Sequence, residues 1–342
     1  MGAALVTEKT NEPKSPKLQK AKRILTKVKR FLYSQRGWLF ITPMLILMGI
    51  FTFYPIIGSL ITAFKNNYYE LDKSYDGYGF ENFIAIIKSN TAVGADFGKC
   101  LQNTLIFAFV SVPTSIILAL LISVGLNSIK KLQKLYQTIY FLPYLTNSLA
   151  MGAVFATFFN VVGTDSHIET YGLVNDFLML LGLKPLNWTA AYMFGEGFNP
   201  WLGRIVVCIF EIWSGLPFKI LLLFSAIQGV NKQYYDAAKV DGASKPTTLW
   251  KITVPLVSPT LSYLLITGLM GGMKSYSSVV GLFGEFMGPT SDYPMGTMVG
   301  YIYACIGEGK LGYAAAGSLI LFAIIMVFTA INLWISKKKV HY

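Results

Sequence analysis

The sequence predicts an all-α integral membrane protein with six transmembrane helices and both ends of the chain in the cytoplasm. Three observations carry that expectation. The 342 residues are 54% hydrophobic and only 13% charged, about half the charged share of an ordinary soluble domain. The apolar residues gather in six segments, 38–64, 101–126, 135–159, 201–230, 258–283 and 313–335, and about 20 residues suffice to cross a hydrocarbon core. Lysine and arginine crowd one set of connections and avoid the other. In lipid, runs this long satisfy their own backbone polar groups only as helices. The buried helices of a soluble protein would be shorter, about 11 to 12 residues on average.

Taken in order, residues 1–37 form a basic cytoplasmic tail. Within it "KLQKAKRILTKVKRFL" spaces Leu18, Ala21, Leu25, Val28 and Leu32 three or four apart, with basic residues between. That pattern suits either an amphipathic helix on the inner membrane surface or a positive tail that only sets topology. The first apolar run starts late, is too long for a signal sequence and lacks a small-residue cleavage site, so it is expected to remain as an anchor. The polar stretch "KNNYYELDKSYDGYGFENFIAIIKSN" reads as an outer loop with a short helix near residues 83–87. In the second outer loop, "GLVNDFLMLLGLKPLNWTAA" holds an apolar run too short to span, expected as a surface helix lying against the spans. The third, "GEFMGPTSDYPMGT", has glycine and proline spaced as turns. A single membrane domain covers 38–335, followed by a basic tail at 336–342.

Charge orients it. Ten basic residues lie before Trp38, three in the link "NSIKKLQK", four in 231–256 and three in "SKKKVHY". The outer loops hold six, with twelve acidic residues. By the positive-inside rule, 231–256 and both termini face the cytoplasm. The net charge of +12 is then a topology signal and membrane lipid the expected partner. A nucleic-acid surface would gather its basic residues on one folded face, so no nucleic acid is expected. Cys100, Cys208 and Cys305 are far apart with no metal-ligand spacing. His167 and His341 supply no acid–base cluster for a membrane enzyme. An ion-driven carrier should show inverted repeats and broken helices, and the sequence is read as having neither. "GEGKLG" around Gly309 lacks the first glycine and the hydroxyl residue of a phosphate loop, so no ATP hydrolysis is expected of this chain.

The polar insert 231–256 is heavily punctuated. Asn231 is placed to cap a helix through "KQYYDAAKV", Gly242 to end it and Ser244 to cap a second, with Pro246 tolerated in its first turn. Pro255 and Pro259 mark the start of the next span. Ala237, Ala238 and Ala243 offer small surfaces for a close partner, and Tyr234, Tyr235 and Leu249 apolar anchors.

"DAAKVDGASKPTTLWKITVPLVSPTL" resembles the cytoplasmic loop of permease subunits in binding-protein-dependent ATP-binding-cassette importers. Asp236-Ala237-Ala238, Asp241-Gly242-Ala243, Ile252, and Leu256 preceded by Val254-Pro255, match that family's spacing. Aspartate replaces its first glutamate and Val254 a leucine. "FENFIAII", "QNTLIFAFV", "YFLPYLTNSLAMGAVF", "GLVNDFLMLLGLKPLNW" and "EIWSGLPFKILLLFSAIQGV" continue the likeness to its carbohydrate branch, the maltose, glycerol-phosphate and multiple-sugar permeases, first-permease type. The resemblance implies a type I importer transmembrane domain in a bacterial plasma membrane, carrying a sugar, an oligosaccharide or a phosphorylated polyol. It further implies a second permease subunit, an extracytoplasmic sugar-binding protein and two separate ATPase subunits that hold the ATP and magnesium. Residues 235–242 would be the coupling helix docked on one ATPase, with Tyr235, Asp236, Ala237, Ala238, Asp241, Gly242, Ala243, Ile252 and Pro255 as its coupling residues.

Ionisable residues inside spans usually face a cavity or a partner. Glu211 and Lys274 both fall about 14–15 Å below the outer ends of their spans at 1.5 Å per residue. They either pair with each other or line the substrate path. Asn147, Trp213, Ser214 and Tyr276 are further path candidates, since sugars accept aromatic stacking and amide or hydroxyl hydrogen bonds. Ser214 and Phe218 follow Glu211 on one helical face, with Pro217 between them. Lys219, on the same span, is read as either contributing there or snorkelling to the surface.

Overall fold

The computed structural model describes residues 36–68, 73–88, 94–129, 133–164, 167–285, 287–290 and 292–339. The basic stretch at 17–32 and residues 340–342 lie outside it. The chain divides into two compact units, residues 1–59 and 60–342. The first contains α1 (Arg36–Met48) and a π-helical turn (Gly49–Phe53), and α2 (Tyr54–Ala63) carries the chain into the second. The second unit continues with α3 (Glu81–Lys88), α4 (Phe97–Ser128), α5 (Gln133–Phe141), α6 (Ser148–Ala156), α7 (Leu173–Leu180) and α8 (Pro200–Gly229). After these come α9 (Lys232–Val240), α10 (Lys245–Thr248), α11 (Val254–Leu256), α12 (Ser258–Gly272), α13 (Ser277–Phe283), α14 (Met298–Gly307) and α15 (Leu311–Lys339). Two small hairpins, Val162–Thr164 with His167–Thr170 and Tyr192–Met193 with Glu196–Gly197, lie between α6 and α8.

Among the described residues, four helices are long and apolar enough to cross a membrane, Phe40–Ala63, Phe97–Ser128, Pro200–Gly229 and Leu311–Lys337, or up to six if two bent pairs each count as one. The bent pairs correct the expectation of six plain spans. Segment 135–159 is a broken element, bent by 95° between Leu135–Leu145 and Ser148–Ala156. Pro143 removes a backbone donor there, and Asn147 starts a new helix by accepting from the Leu149 N–H at 2.8 Å. Segment 258–283 stops at Gly272, turns through 273–276 and resumes as α13. Its first helix bends 70° from Lys245–Leu256 and, at 15 residues, is only about 22 Å long. The expectation that broken helices are absent is therefore wrong for this chain.

The core of the second unit is the pair α4 and α8. Helix α4 buries Ser111, Ser115, Ala119 and Ser123, a small residue every fourth position on one stripe. Small stripes let membrane helices approach closely, where van der Waals contact and hydrogen bonds replace the missing hydrophobic drive. Ser123 Oγ accordingly donates across the seam to the Ile220 carbonyl at 3.1 Å. The resumed halves α6 and α13 meet at glycines. A Cβ on Gly152 would lie 2.9 Å from Gly281 Cα, and one on Gly281 2.6 Å from the Leu149 carbonyl oxygen.

Candidate functional site

Two sites are built on this frame. The first is the loop 231–256, and its own caps shape it. Asn231 Oδ1 accepts from the Gln233 N–H at 3.0 Å and starts α9. At the other end the Gly242 N–H donates to the Lys239 carbonyl at 3.2 Å and the Ala243 N–H to the Ala238 carbonyl at 2.9 Å. With Gly242 at φ +70°, this is the two-bond helix stop that a left-handed residue permits. Ser244 accepts from the Thr247 N–H at 3.4 Å and starts α10, with Pro246 in its first turn. A π-helical turn, Leu249–Thr253, then leads through α11 to Val257 and α12.

The predicted coupling residues divide between two sides of this element. Asp236, Ala237, Asp241 and Gly242 are exposed, and Lys239 Nζ donates to Asp236 Oδ1 at 3.0 Å. Tyr235, Ala243, Ile252 and Pro255 are half-buried, with the Tyr235 hydroxyl 3.3 Å from Thr253 Oγ1. Ala238 is only 6% exposed, so its methyl group is taken up in the chain's own packing. Of the expected anchors, Leu249 is half-buried while Tyr234 is exposed. Between the loop and the ends of α4 and α8 lies a groove of about 940 Å³, lined among others by Asn127, Ile227, Tyr235 and Leu249.

The second site lies within α8. Glu211 accepts from Ser275 Oγ at 2.5 Å and also from Ser278 Oγ. Both serines are at most 9% exposed and sit at the break between α12 and α13. Lys219, also 9% exposed, donates from Nζ to Ser115 Oγ of α4 at 2.5 Å; it does not snorkel. Glu211, Ser214 and Lys219 share a cavity of about 140 Å³ with Phe107 and Ser111. On the other side of Ser214, a cavity of about 190 Å³ is lined by Tyr144, Met151, Phe210 and Trp213. Trp213 stacks on Phe155 at 5.8 Å, and Tyr144 on Phe218 at 5.6 Å.

The structure thus gathers Glu211, Trp213 and Ser214 and separates the other candidates. No Glu211–Lys274 ion pair forms among the described residues; Lys274 is exposed, and the carboxylate takes hydroxyl partners instead. The equal-depth argument assumed an unbroken helix, whereas Lys274 lies in the turn, its N–H on the Gly271 carbonyl at 2.9 Å. Tyr276 stacks on Tyr303 at 4.5 Å, away from both cavities, and Asn147 is an exposed helix cap. Tyr144, Ser115, Ser275 and Ser278 went unrecognised in the sequence. The four-residue spacing through Ser111, Ser115 and Ser123 was the available signal.

A third polar cluster joins α4, α8 and the turn at 294–296. Arg204, 9% exposed, donates from Nε to Asn103 Oδ1 at 2.9 Å. Asn103 Nδ2 in turn donates to the carbonyls of Pro294 and Gly296 at 3.1 and 3.0 Å. All three cysteines are buried and free.

The chain is similar to known proteins along most of its length. Over 309 residues the chain is 28% identical to the arabinooligosaccharides transport system permease protein AraP of Bacillus subtilis (strain 168), covering 89% of this chain and 90% of that one. It is 25% identical over 317 residues to the lactose transport system permease protein LacF of Rhizobium radiobacter, covering 91% and 97%. Its fold matches a chain in the crystal structure of a bacterial alginate ABC transporter in complex with an alginate pentasaccharide-bound periplasmic protein. The TM-score is 0.73 at 22% identity, over 92% of this chain and 98% of that one. The family described as the binding-protein-dependent transport system inner membrane component matches residues 101–341, from the first turns of α4 through the loop 231–256 to α15, and the chain belongs to it.

Proposed function

We propose that this chain is one of two membrane-spanning permease subunits of an ATP-driven sugar importer in a bacterial plasma membrane, with an oligosaccharide as the expected cargo. The reading takes the chain as a type I importer domain of six spans with both termini cytoplasmic, counting each bent element as one crossing. ATP and magnesium belong to two partner ATPase subunits, and an extracytoplasmic binding protein delivers the sugar. One observation carries the reading: the loop 231–256 is a capped helix–turn–helix whose Asp236, Ala237 and Gly242 side is exposed. A segment held this firmly by its own bonds, yet uncovered, is suited to being gripped by another subunit.

The connectivity supplies the coupling. The loop joins the end of α8 to the start of α12, so displacing it moves both elements that meet at Glu211, Ser275 and Ser278. A lever of that kind needs two stable arrangements rather than continuous flexing. Tyr144, Trp213 and Ser214 offer a sugar aromatic faces and a hydroxyl. Both cavities fall below the roughly 300 Å³ of a small ligand pocket, so passage of an oligosaccharide requires the helices to part.

Ala237→Arg tests this, because Ala237 is exposed and its replacement leaves the chain's own packing intact. Sugar uptake should be abolished and the ATPase should no longer co-purify, while the chain still inserts. Undiminished co-purification with normal uptake would sink the reading, and an ion-driven carrier should behave that way.

A further inference from the structure

We propose that α7 is an interfacial anchor whose outward row, Leu173, Phe177, Leu180 and Leu181, lies in the headgroup boundary of the outer leaflet. These side chains are 63%, 60%, 81% and 59% exposed, and at 100° per residue they share one arc of the helix. The rest of the helix is fixed. Val174 and Leu178 pack on a cluster that includes Phe159 and Trp188. Asn175, wholly buried, accepts from Trp188 Nε1 at 2.9 Å and the Leu186 N–H at 3.0 Å. It also donates to the carbonyls of Tyr171 and Leu186. The helix therefore has no freedom to roll its leucines inward.

Its position follows from two contacts. The Val174 N–H donates to the Phe158 carbonyl at 3.0 Å, two residues past the end of α6. Trp188, bonded to Asn175, meets Phe159 edge-on at 5.6 Å. Helix α7 thus hangs just past the end of a bent apolar element, and a row of this kind fits the boundary region where apolar helix faces insert. Chemistry selects lipid over protein. The row carries no charge, and leucine is under-represented among the residues that dominate protein–protein contacts. Asp176 at the edge of the arc and Lys184 beyond it are exposed, suited to water and to lipid phosphate.

The inference rests on residues 160–199 facing outward, which labelling of Lys184→Cys by a membrane-impermeant reagent in intact cells checks separately. Leu173→Cys, Phe177→Cys and Leu180→Cys, with Asp176→Cys as the watery control, are labelled with bimane in the complete importer reconstituted in liposomes. Native thiols are buried and contribute little. Lipids brominated near the headgroup end of the acyl chain should quench the three row positions several-fold more than position 176, with uptake preserved. Iodide quenching of the row equal to that at 176 overturns the proposal by placing the row in water. Blue-shifted emission untouched by brominated lipid overturns it by placing the row against protein.

Discussion

The loop 231–256 and the Glu211 cluster are both polar islands in an apolar chain, and they are held in opposite ways. In the loop, the capping side-chain bonds join residues two or three apart, Asn231 to Gln233 and Ser244 to Thr247. In the membrane, Glu211 reaches across 64 residues to Ser275, and Lys219 across 104 to Ser115. A locally bonded element keeps its shape wherever it is carried, as a lever arm must. A cluster bonded across distant helices reports, and resists, every change in how those helices pack.

That contrast is tested most strongly at Glu211. Glu211→Leu removes the acceptor that both hydroxyls share; Ser275 and Ser278 still reach each other at 3.0 Å, so one buried donor is left unsatisfied, at about 1–3 kcal/mol. Thermal unfolding of the detergent-solubilised assembly should show a loss of that order, with Glu211→Gln losing less. A fully stable leucine variant would mean the cluster does not hold α8 to the break. Gly242→Ala is next. No neighbour obstructs a Cβ there, so the cost is the left-handed backbone alone, about 1–2 kcal/mol, read as local hydrogen-exchange protection lost in 232–243 with the spans unaffected. Protection lost across α8 instead would show that the loop is not an independent unit. The smallest effect is expected at Asp236→Ala, whose exposed ion pair with Lys239 contributes a few tenths of a kcal/mol. Stability should be unchanged while uptake falls, separating a docking role from a structural one; unchanged uptake would remove Asp236 from the docking surface.

Much of the loop was legible because its signals are local. The caps Asn231 and Ser244 and the stop at Gly242 follow from what each residue does to its own backbone. The burial of Ala238 was not, since it depends on packing that no local residue pattern marks. The 95° bend had a local signal, Pro143 followed by Asn147, outweighed by the apolar run around it. The break at 273–276 had none strong enough. Lys274 therefore stood as one candidate partner of Glu211, whereas Ser275 and Ser278 hold the carboxylate.

The sequence by itself determined a membrane chain of long apolar helices, the sides its charges favour and a self-capped polar element between two of them, because hydropathy, charge and capping act within a few residues. Tertiary structure alone decided which polar side chains meet inside the membrane. Glu211 and Lys219 find serines on other helices through packing of small-residue stripes and broken segments, and a partner tens of residues away leaves no periodic mark in the chain.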